Sequence, residues 1–475
     1  MSDFPYTLAD VLTLNGIGQD LNRTSIRIKC PFCSGKKFNK DLGVDLRNEK
    51  FHCYCCGISG RGGTQFHAYL HNMTNKEAYQ DIISSLGIGT KQYEPIQRII
   101  PEVQVTEETQ EADEAILANT YGKFMNHLKL SEKHKDSLIS RGFEENEIVE
   151  IGYSSTTPFV KKESGISPEI FNIPKQLLTE ECVLRGVPGF YKTKEKNVWR
   201  VPELKPGIFV PYRSVYNEIT GFQIRKDNEV LEEGENKYSW FSSANKNEGC
   251  KKTTAVHYAT DFLWDNEKKN FYPNVSKGVV LITEGAMKAD LAHVISNVPL
   301  IALPGITSAI IPLIEAICSL QKVGLKQVVL AFDMDKLFNI NVAEGIVKIK
   351  AAITEKIDVD IKELSWSDYM VKLDGTKEKI DTQRTFIFLP ETISKYLEEN
   401  RLEEIVNRAI AINKTKFLFA MKNSKEATEQ NRDNLKVLKE LCAKRKVTCE
   451  PVLWSLKLKG IDDYYAHKYR NVEYV

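Results

Sequence analysis

Two groups of residues in this chain have the types and the spacing to do chemistry. In the first, Cys30-Pro-Phe-Cys33 and Cys53-Tyr-Cys-Cys56 form C-x2-C-x19-C-x2-C. That spacing lets two tight turns each offer a pair of thiolates to one tetrahedral Zn2+. Cys55 and His52 are competing donors, but the C-x2-C register favours Cys56. Zinc bound this way supplies about 10–16 kcal/mol of folding free energy to a module too small for a proper core. In the second group, Leu281-Ile-Thr-Glu284-Gly285 is an apolar run that ends on a carboxylate, with a glycine that lets the chain turn into a helix near Ala286. The run Val328 to Asp335 reads as another strand, on which Asp333 and Asp335 leave on the same face because side chains alternate. Carboxylates at C-terminal strand ends stand where α/β sheets bind their ligands. Held together without a counter-charge they repel, so a hard divalent cation, Mg2+ or Mn2+, is the natural partner of an all-oxygen set at Glu284, Asp333 and Asp335.

The elements that carry these groups divide the chain. A length of 475 residues is too great for one core. Residues 1–91 hold the cysteines and an amphipathic, helix-spaced stretch from Thr64 to Leu86. Residues 92–114 carry prolines and then an acidic run, and read as a solvated linker. Residues 115–272 mix helical stretches with short strands, a second domain. After Lys277, apolar runs at Val279–Ile282, Leu300–Leu303 and Val328–Phe332 alternate with helical patterns, which predicts a largely parallel α/β sheet in residues 273–475. Within it Gln327–Trp366 is echoed by Thr415–Trp454, two related units separated by an inserted or duplicated segment at about 367–414.

Charge is balanced overall, 65 Lys and Arg against 64 Asp and Glu, so any nucleic-acid surface must come from local segregation. Residues 21–61 provide it: nine Lys and Arg, among them Lys36 and Lys37, face three acids. Four thiolates on one Zn2+ still leave a clear positive excess there. Phe32, Phe38, Phe51 and Tyr54 lie among these cations, a pattern suited to single-stranded nucleic acid, although some must pack the small core. Five of the ten cysteines fall between Cys30 and Cys56, and no signal-peptide pattern opens the chain, so metal is favoured over disulfides and a cytoplasmic location is expected. No run reaches the roughly 18 apolar residues of a membrane span, so no membrane partner is expected.

The cysteine motif with Phe51-His-Cys-Tyr-Cys-Cys-Gly-Ile-Ser-Gly-Arg-Gly-Gly63 resembles the zinc ribbon of bacterial replicative primases and their phage and plasmid relatives. Those proteins usually have His where this chain has Cys33. Glu-Gly followed by Asp-x-Asp is similar to the TOPRIM signature shared by primases, type IA and type II topoisomerases and some nucleases. On that likeness Glu284, Asp333 and Asp335 are the catalytic acids, and Lys459-Gly-Ile-Asp462-Asp463 resembles a third acidic motif. Two departures stand out: Lys288 occupies a position where replicative primases carry Asp, and Pro304-Gly305 replaces a Gly-Gly element. Ile208-Phe-Val-Pro-Tyr-Arg213, Ile219-Thr-Gly-Phe-Gln-Ile-Arg225 and Lys237-Tyr-Ser-Trp-Phe-Ser-Ser243 resemble the basic half of the primase core, in which Arg213, Arg225 and Lys237 are the candidate cations for template or triphosphate.

The resemblance implies a multidomain α+β and α/β protein: an N-terminal zinc ribbon, a mixed α+β basic primase-core domain and a TOPRIM-like Rossmannoid α/β domain with an insertion. It implies a primase that joins nucleoside triphosphates on a single-stranded DNA template, with structural Zn2+ and catalytic Mg2+ or Mn2+, in a phage or mobile element. No G-x-x-x-x-G-K-[ST] occurs, so a separate replicative helicase is expected as a partner. The competing readings are a TOPRIM nuclease and a catalytically weak or inactive single-stranded-DNA-binding replication protein.

Overall fold

The structure is a computed structural model that describes residues 5–17, 25–32, 42–53, 58–88, 109–161, 165–232, 235–275, 277–306, 308–366, 369–426 and 428–472. They belong to two compact units: residues 1–106 with 232–235, and residues 107–231 with 236–475.

In the first unit, Thr7 and Asp10 close a capping box on α1 (Leu8–Leu14). Strands β1 (Ser25–Ile28), β2 (Leu42–Asp45), β3 (Lys50–Cys53) and β4 (Ser59–Arg61) form an antiparallel sheet in sequence order. Helices α2 (Gly62–His71) and α3 (Asn75–Ser85) follow. The amphipathic stretch expected from Thr64 to Leu86 is thus two helices. Asn72 ends the first in the left-handed region with φ 52°, a conformation asparagine tolerates, and Thr74 opens the second with a capping box to Glu77. Leu8, Val11, Leu42, Val44, Phe51, Phe66 and Ile82 make the core.

The second unit opens with α4 (Glu114–Asn126), α5 (Glu132–Ser140) and α6 (Glu145–Ile151). Most of the expected linker lies outside the described residues, but its end is not simply solvated. Ala112 N donates to Gly186 O at 2.8 Å, and the Glu111 carboxylate accepts from Thr253 N at 2.8 Å and pairs with Lys252. After β5 (Ser154–Ser155), α7 (Glu169–Thr179) and a small hairpin of β6 (Tyr191–Lys192) and β7 (Trp199–Arg200) come β8 (Gly207–Arg213), β9 (Ile219–Lys226) and β10 (Tyr238–Trp240). These make an antiparallel sheet ordered β10-β9-β8-β5, packed on buried Phe124, Phe159, Phe190, Phe209, Phe222 and Phe241.

Strand β11 (His257–Ala259) and the hairpin β12 (Phe262–Asp265) and β13 (Asn270–Pro273) lead into β14 (Val279–Glu284), α8 (Ala286–Ser296), β15 (Leu300–Leu303), α9 (Ile310–Gln321), β16 (Gln327–Leu330), α10 (Ile340–Lys356) and β17 (Asp360–Glu363). The sheet order is β11-β15-β14-β16-β17. Its four later strands are parallel, as expected, and β11 runs antiparallel to β15. Packing therefore does not break at 272/273. Besides β11, a shared apolar cluster joins Leu138, Phe143, Tyr153, Ile208 and Tyr212 to Met287, Leu291 and Ala466.

A further sheet follows, from β18 (Tyr369–Lys372), β19 (Lys377–Lys379), β20 (Thr385–Phe388), α11 (Pro390–Glu398), α12 (Leu402–Ala411), β21 (Lys416–Met421), α13 (Glu429–Lys444) and β22 (Thr448–Leu453), ordered β19-β18-β22-β21-β20. The segment at 367–414 is more than an insertion between two related units, because it supplies three of these five strands. The expected echo has a structural counterpart: β16-α10-β17 and β21-α13-β22 are both strand, helix, parallel strand. Helix α14 (Ile461–Arg470) then packs on α8. Among the described residues no helix is long and apolar enough to cross a membrane.

Candidate active site

Glu284 is the last residue of β14. Gly285 follows with φ 88°, a conformation that favours glycine, and its N–H donates to Leu303 O at 2.8 Å before α8 begins. Strand β15 lies on one side of β14 and β16 on the other, so the order reverses between β14 and β16. Their C-terminal ends flank a topological switch point, the crevice where open α/β sheets bind ligands.

Asp333 and Asp335 reach that crevice by a different route from the one the alternation argument gives. Strand β16 stops at Leu330, and Met334–Leu337 is a 3-10 turn. The chain is drawn out of the strand by Met334 N donating to Lys459 O at 2.9 Å, so the two aspartates sit on a turn rather than on one strand face. Asp333 is buried, and the Lys288 ammonium lies 2.7 and 2.6 Å from its two oxygens. Lys459 Nζ is 3.0 Å from Asp335 Oδ2 and 3.6 Å from Asp333 Oδ2. Asp335 Oδ1 is buried without a hydrogen-bond partner. Burial raises the Glu284 carboxyl above its ordinary value; Lys288 opposes this, and Asp333 and Asp335 add to it. For Lys288 burial works against the charge, but Asp333, Asp462 and Glu284 outweigh it and hold the ammonium protonated above the usual lysine range.

Asp462 joins the cluster from the N-terminus of α14. It is almost fully buried, Arg141 Nη2 donates to its Oδ2 at 3.1 Å, and its Oδ1 has no partner. Gly460 permits this approach, since a Cβ there would collide with Asp462 Oδ1 and stand 3.5 Å from Asp333 Oδ1. Burial, then Asp463, raises the Asp462 carboxyl, while Arg141 and Lys288 lower it. Asp463 acts elsewhere, as the cap of its own helix, with its Oδ2 accepting from Gly460 N at 3.0 Å.

Of the expected phosphate-binding cations, Arg213 is not free for that role. Its guanidinium donates to Asn217 O and Oδ1, both at 3.2 Å, and to Ile151 O at 3.1 Å. Arg225 is different, because its Nε is buried and has no hydrogen-bond partner. It faces Tyr238 across β9 and β10, next to Lys237. Burial lowers the Lys237 ammonium, and Arg225 and Arg141 lower it further. Arg141, Arg225 and Lys237 are therefore a cationic ledge that touches the acidic cluster at Asp462.

Among the described residues no group of three or more His, Cys, Asp or Glu side chains is arranged to hold a metal without rearrangement. Lysines stand between the carboxylates. The donors still fit a hard divalent ion, because Asp335 Oδ1 is buried without a partner and Glu284 is one strand away.

In the first unit, Ile28, Leu42 and Cys53 share one row of the sheet, and Cys30 lies two residues past Ile28, so Cys30 and Cys53 sit at the same end. Both are buried. Cys33, Cys56, Lys36, Lys37, Phe38 and Tyr54 lie outside the described residues. Phe51 and, partly, Phe32 are spent on the core, where both pack edge-on against Phe66.

Sequence reasoning missed Arg141, which meets Asp462 across 321 positions, and gave no role to Lys459. It also missed Asp290, which accepts from Tyr153 Oη at 2.7 Å and lies 2.7 Å from His257 Nε2, tying α8 to the antiparallel half. Only the Lys-Gly-x-Asp-Asp run and the Lys at 288 carried a readable signal.

No family model matches the chain. It is similar to the DNA primase of Thermotoga maritima, 28% identical over 339 residues, which are 70% of this chain and 51% of that protein. The chain spans about half the length of that curated relative. Among solved structures it is similar to the zinc-binding and RNA polymerase domains of Aquifex aeolicus primase, at TM-score 0.38 and 12% identity over 91% of this chain and 90% of that one. It is also similar to the Escherichia coli primase catalytic core, at TM-score 0.34 and 13% identity over 75% of this chain and 96% of that one. Structural likenesses of this size do not fix a fold. The sequence similarity of this chain is to bacterial DNA primase.

Proposed function

We propose that this chain is a primase: it joins nucleoside triphosphates into short primers on single-stranded DNA. The observation that carries the reading is the meeting, at one switch-point crevice, of Glu284, Asp333, Asp335 and Asp462 with the ledge of Arg141, Arg225 and Lys237. These residues come from motifs spread over some three hundred positions. The similarity to a DNA primase over 70% of the chain supports it.

In the reaction a 3′-hydroxyl attacks the α-phosphorus of a triphosphate and pyrophosphate leaves. Asp335 and Glu284 would hold Mg2+ or Mn2+, which would supply charge neutralisation and a more acidic hydroxyl. The protein's own groups do the positioning. Arg225 and Lys237 hold phosphate, Arg225 through a planar fork and Lys237 as a point charge. With Glu284 engaged as a ligand, the hydroxyl proton passes to solvent. In the first unit Cys30, Cys33, Cys53 and Cys56 would hold structural Zn2+, and the basic residues around them, Lys36 and Lys37 included, would meet template.

The test is incorporation of labelled nucleotides on primer-free single-stranded DNA. Wild type makes oligomers with Mg2+ or Mn2+, and Asp333→Ala and Asp335→Ala do not. Equal yields from the variants, or none from wild type, would sink the assignment. One observation favours a second reading, a non-catalytic DNA-binding protein: both aspartates already hold lysines. That protein would bind DNA equally well with and without Mg2+ and incorporate nothing.

A further inference from the structure

Four carboxylates belong to the candidate site: Glu284, Asp333, Asp335 and Asp462. Three cations are set among them, Lys288, Lys459 and Arg141. The two lysines are not equivalent. Lys459 is 55% exposed and engages one oxygen of Asp335, leaving Oδ1 open. Lys288 is 27% exposed, spans both oxygens of Asp333, and feels Asp462 and Glu284 as well. An incoming cation can displace Lys459 into solvent. To take Asp333 from Lys288 it must move a cation held by three carboxylates.

We propose that Lys288 is a tethered counter-ion standing in for one metal, so that this site takes up a single divalent cation, held by Asp335 and Glu284. The proposal rests on the primase reading of the same crevice. Lys288 projects from the first turn of α8, directly after the Glu284-Gly285 turn, so its ammonium is fixed by the same turn that places the carboxylate. Its stem needs no loop movement to reach Asp333. The ion would then be held on the Asp335 side, while Lys288 holds the Asp333 carboxylate in place.

Mn2+ binding to the full chain, zinc-loaded and in roughly 0.15 M salt to screen surface sites, decides the matter by calorimetry and by the spin resonance of free Mn2+. Wild type binds one ion per chain, Lys288→Ala binds two, and Lys288→Arg, which keeps the charge, binds one. Mn2+ also raises the melting temperature of Lys288→Ala more than that of wild type, because the second ion replaces the lost ammonium. Two ions in wild type overturn the proposal whether or not Lys288→Ala folds, as does a single ion in a folded Lys288→Ala. No Mn2+ bound to wild type would overturn the metal reading of the whole crevice. Two ions with primer synthesis intact would overturn only the role given to Lys288.

Discussion

The second unit contains two α/β sheets that share a plan and differ where chemistry happens. In both, a strand, a helix and a parallel strand follow one another: β16-α10-β17 in one, β21-α13-β22 in the other. The first sheet reverses its strand order beside β14 and has Glu284, Asp333 and Asp335 at the strand ends. In the second, β20, β21 and β22 lie in sequence order, so among the described residues this parallel part has no switch point. Its strands run out into Leu389 after β20 and Lys422-Asn423 after β21. Architecture alone does not make a site; the strand ends do. The second sheet has a positioning role instead. Met334 and Leu337, from the turn that carries Asp333 and Asp335, pack on Ile387, Leu418, Ala420, Val452 and Trp454. The chain leaving β22 then delivers Lys459 and Asp462.

The two sheets also treat buried lysines oppositely, which gives the sharpest ways to test the contrast. In metal-free protein Lys288→Met leaves the buried Asp333 carboxylate with only Lys459, 3.6 Å away, and should cost about 3 kcal/mol by denaturant melting, the low end for a broken buried pair. A loss under about 1 kcal/mol would mean the pair is not a working ion pair. Leu418→Ala, on a strand that carries none of the site's carboxylates, should cost about 2–4 kcal/mol and also lower incorporation, because the Met334 turn loses its support. Unchanged activity in the folded variant would deny the second sheet its supporting role. Lys414, at the edge of the second sheet, is buried with one hydrogen bond to Thr382 O, and burial holds its ammonium down at about 8, against partial help from Glu363. Below that pH both folded and unfolded chains are protonated and the burial cost is complete. Between about 8 and the ordinary lysine value only the folded chain sheds the proton, so stability rises with pH. Lys414→Met should therefore gain about 1 kcal/mol at neutral pH, with the gain shrinking as pH rises toward 10.5. A gain constant with pH would contradict this.

Legibility followed distance along the chain. Leu281–Gly285 announced a strand ending in a carboxylate, because apolar run, acid and glycine are all local, and the parallel strands were readable from the same texture. The alternation argument failed at Asp333 and Asp335, since a hydrogen bond from Met334 to the carbonyl of Lys459, 125 positions later, decides where β16 ends. Lys288 was visible as a departure, but its partner was not. Arg213 resembled a phosphate-binding residue, yet its fork is closed by the backbone of Ile151 and by Asn217. Asp463 lies in an acidic motif and caps a helix, a role sequence leaves open.

The most direct measurement of the central claim is the length distribution of products made on primer-free single-stranded DNA by three proteins: wild type, Asp335→Asn at the first sheet, and Glu426→Gln after β21 in the second. Wild type and Glu426→Gln should make the same ladder within about two-fold, and Asp335→Asn should make about 100-fold less or worse, as loss of a metal-binding carboxylate worth several kcal/mol requires. A ladder from Asp335→Asn equal to wild type, or none from any of the three, would contradict the account.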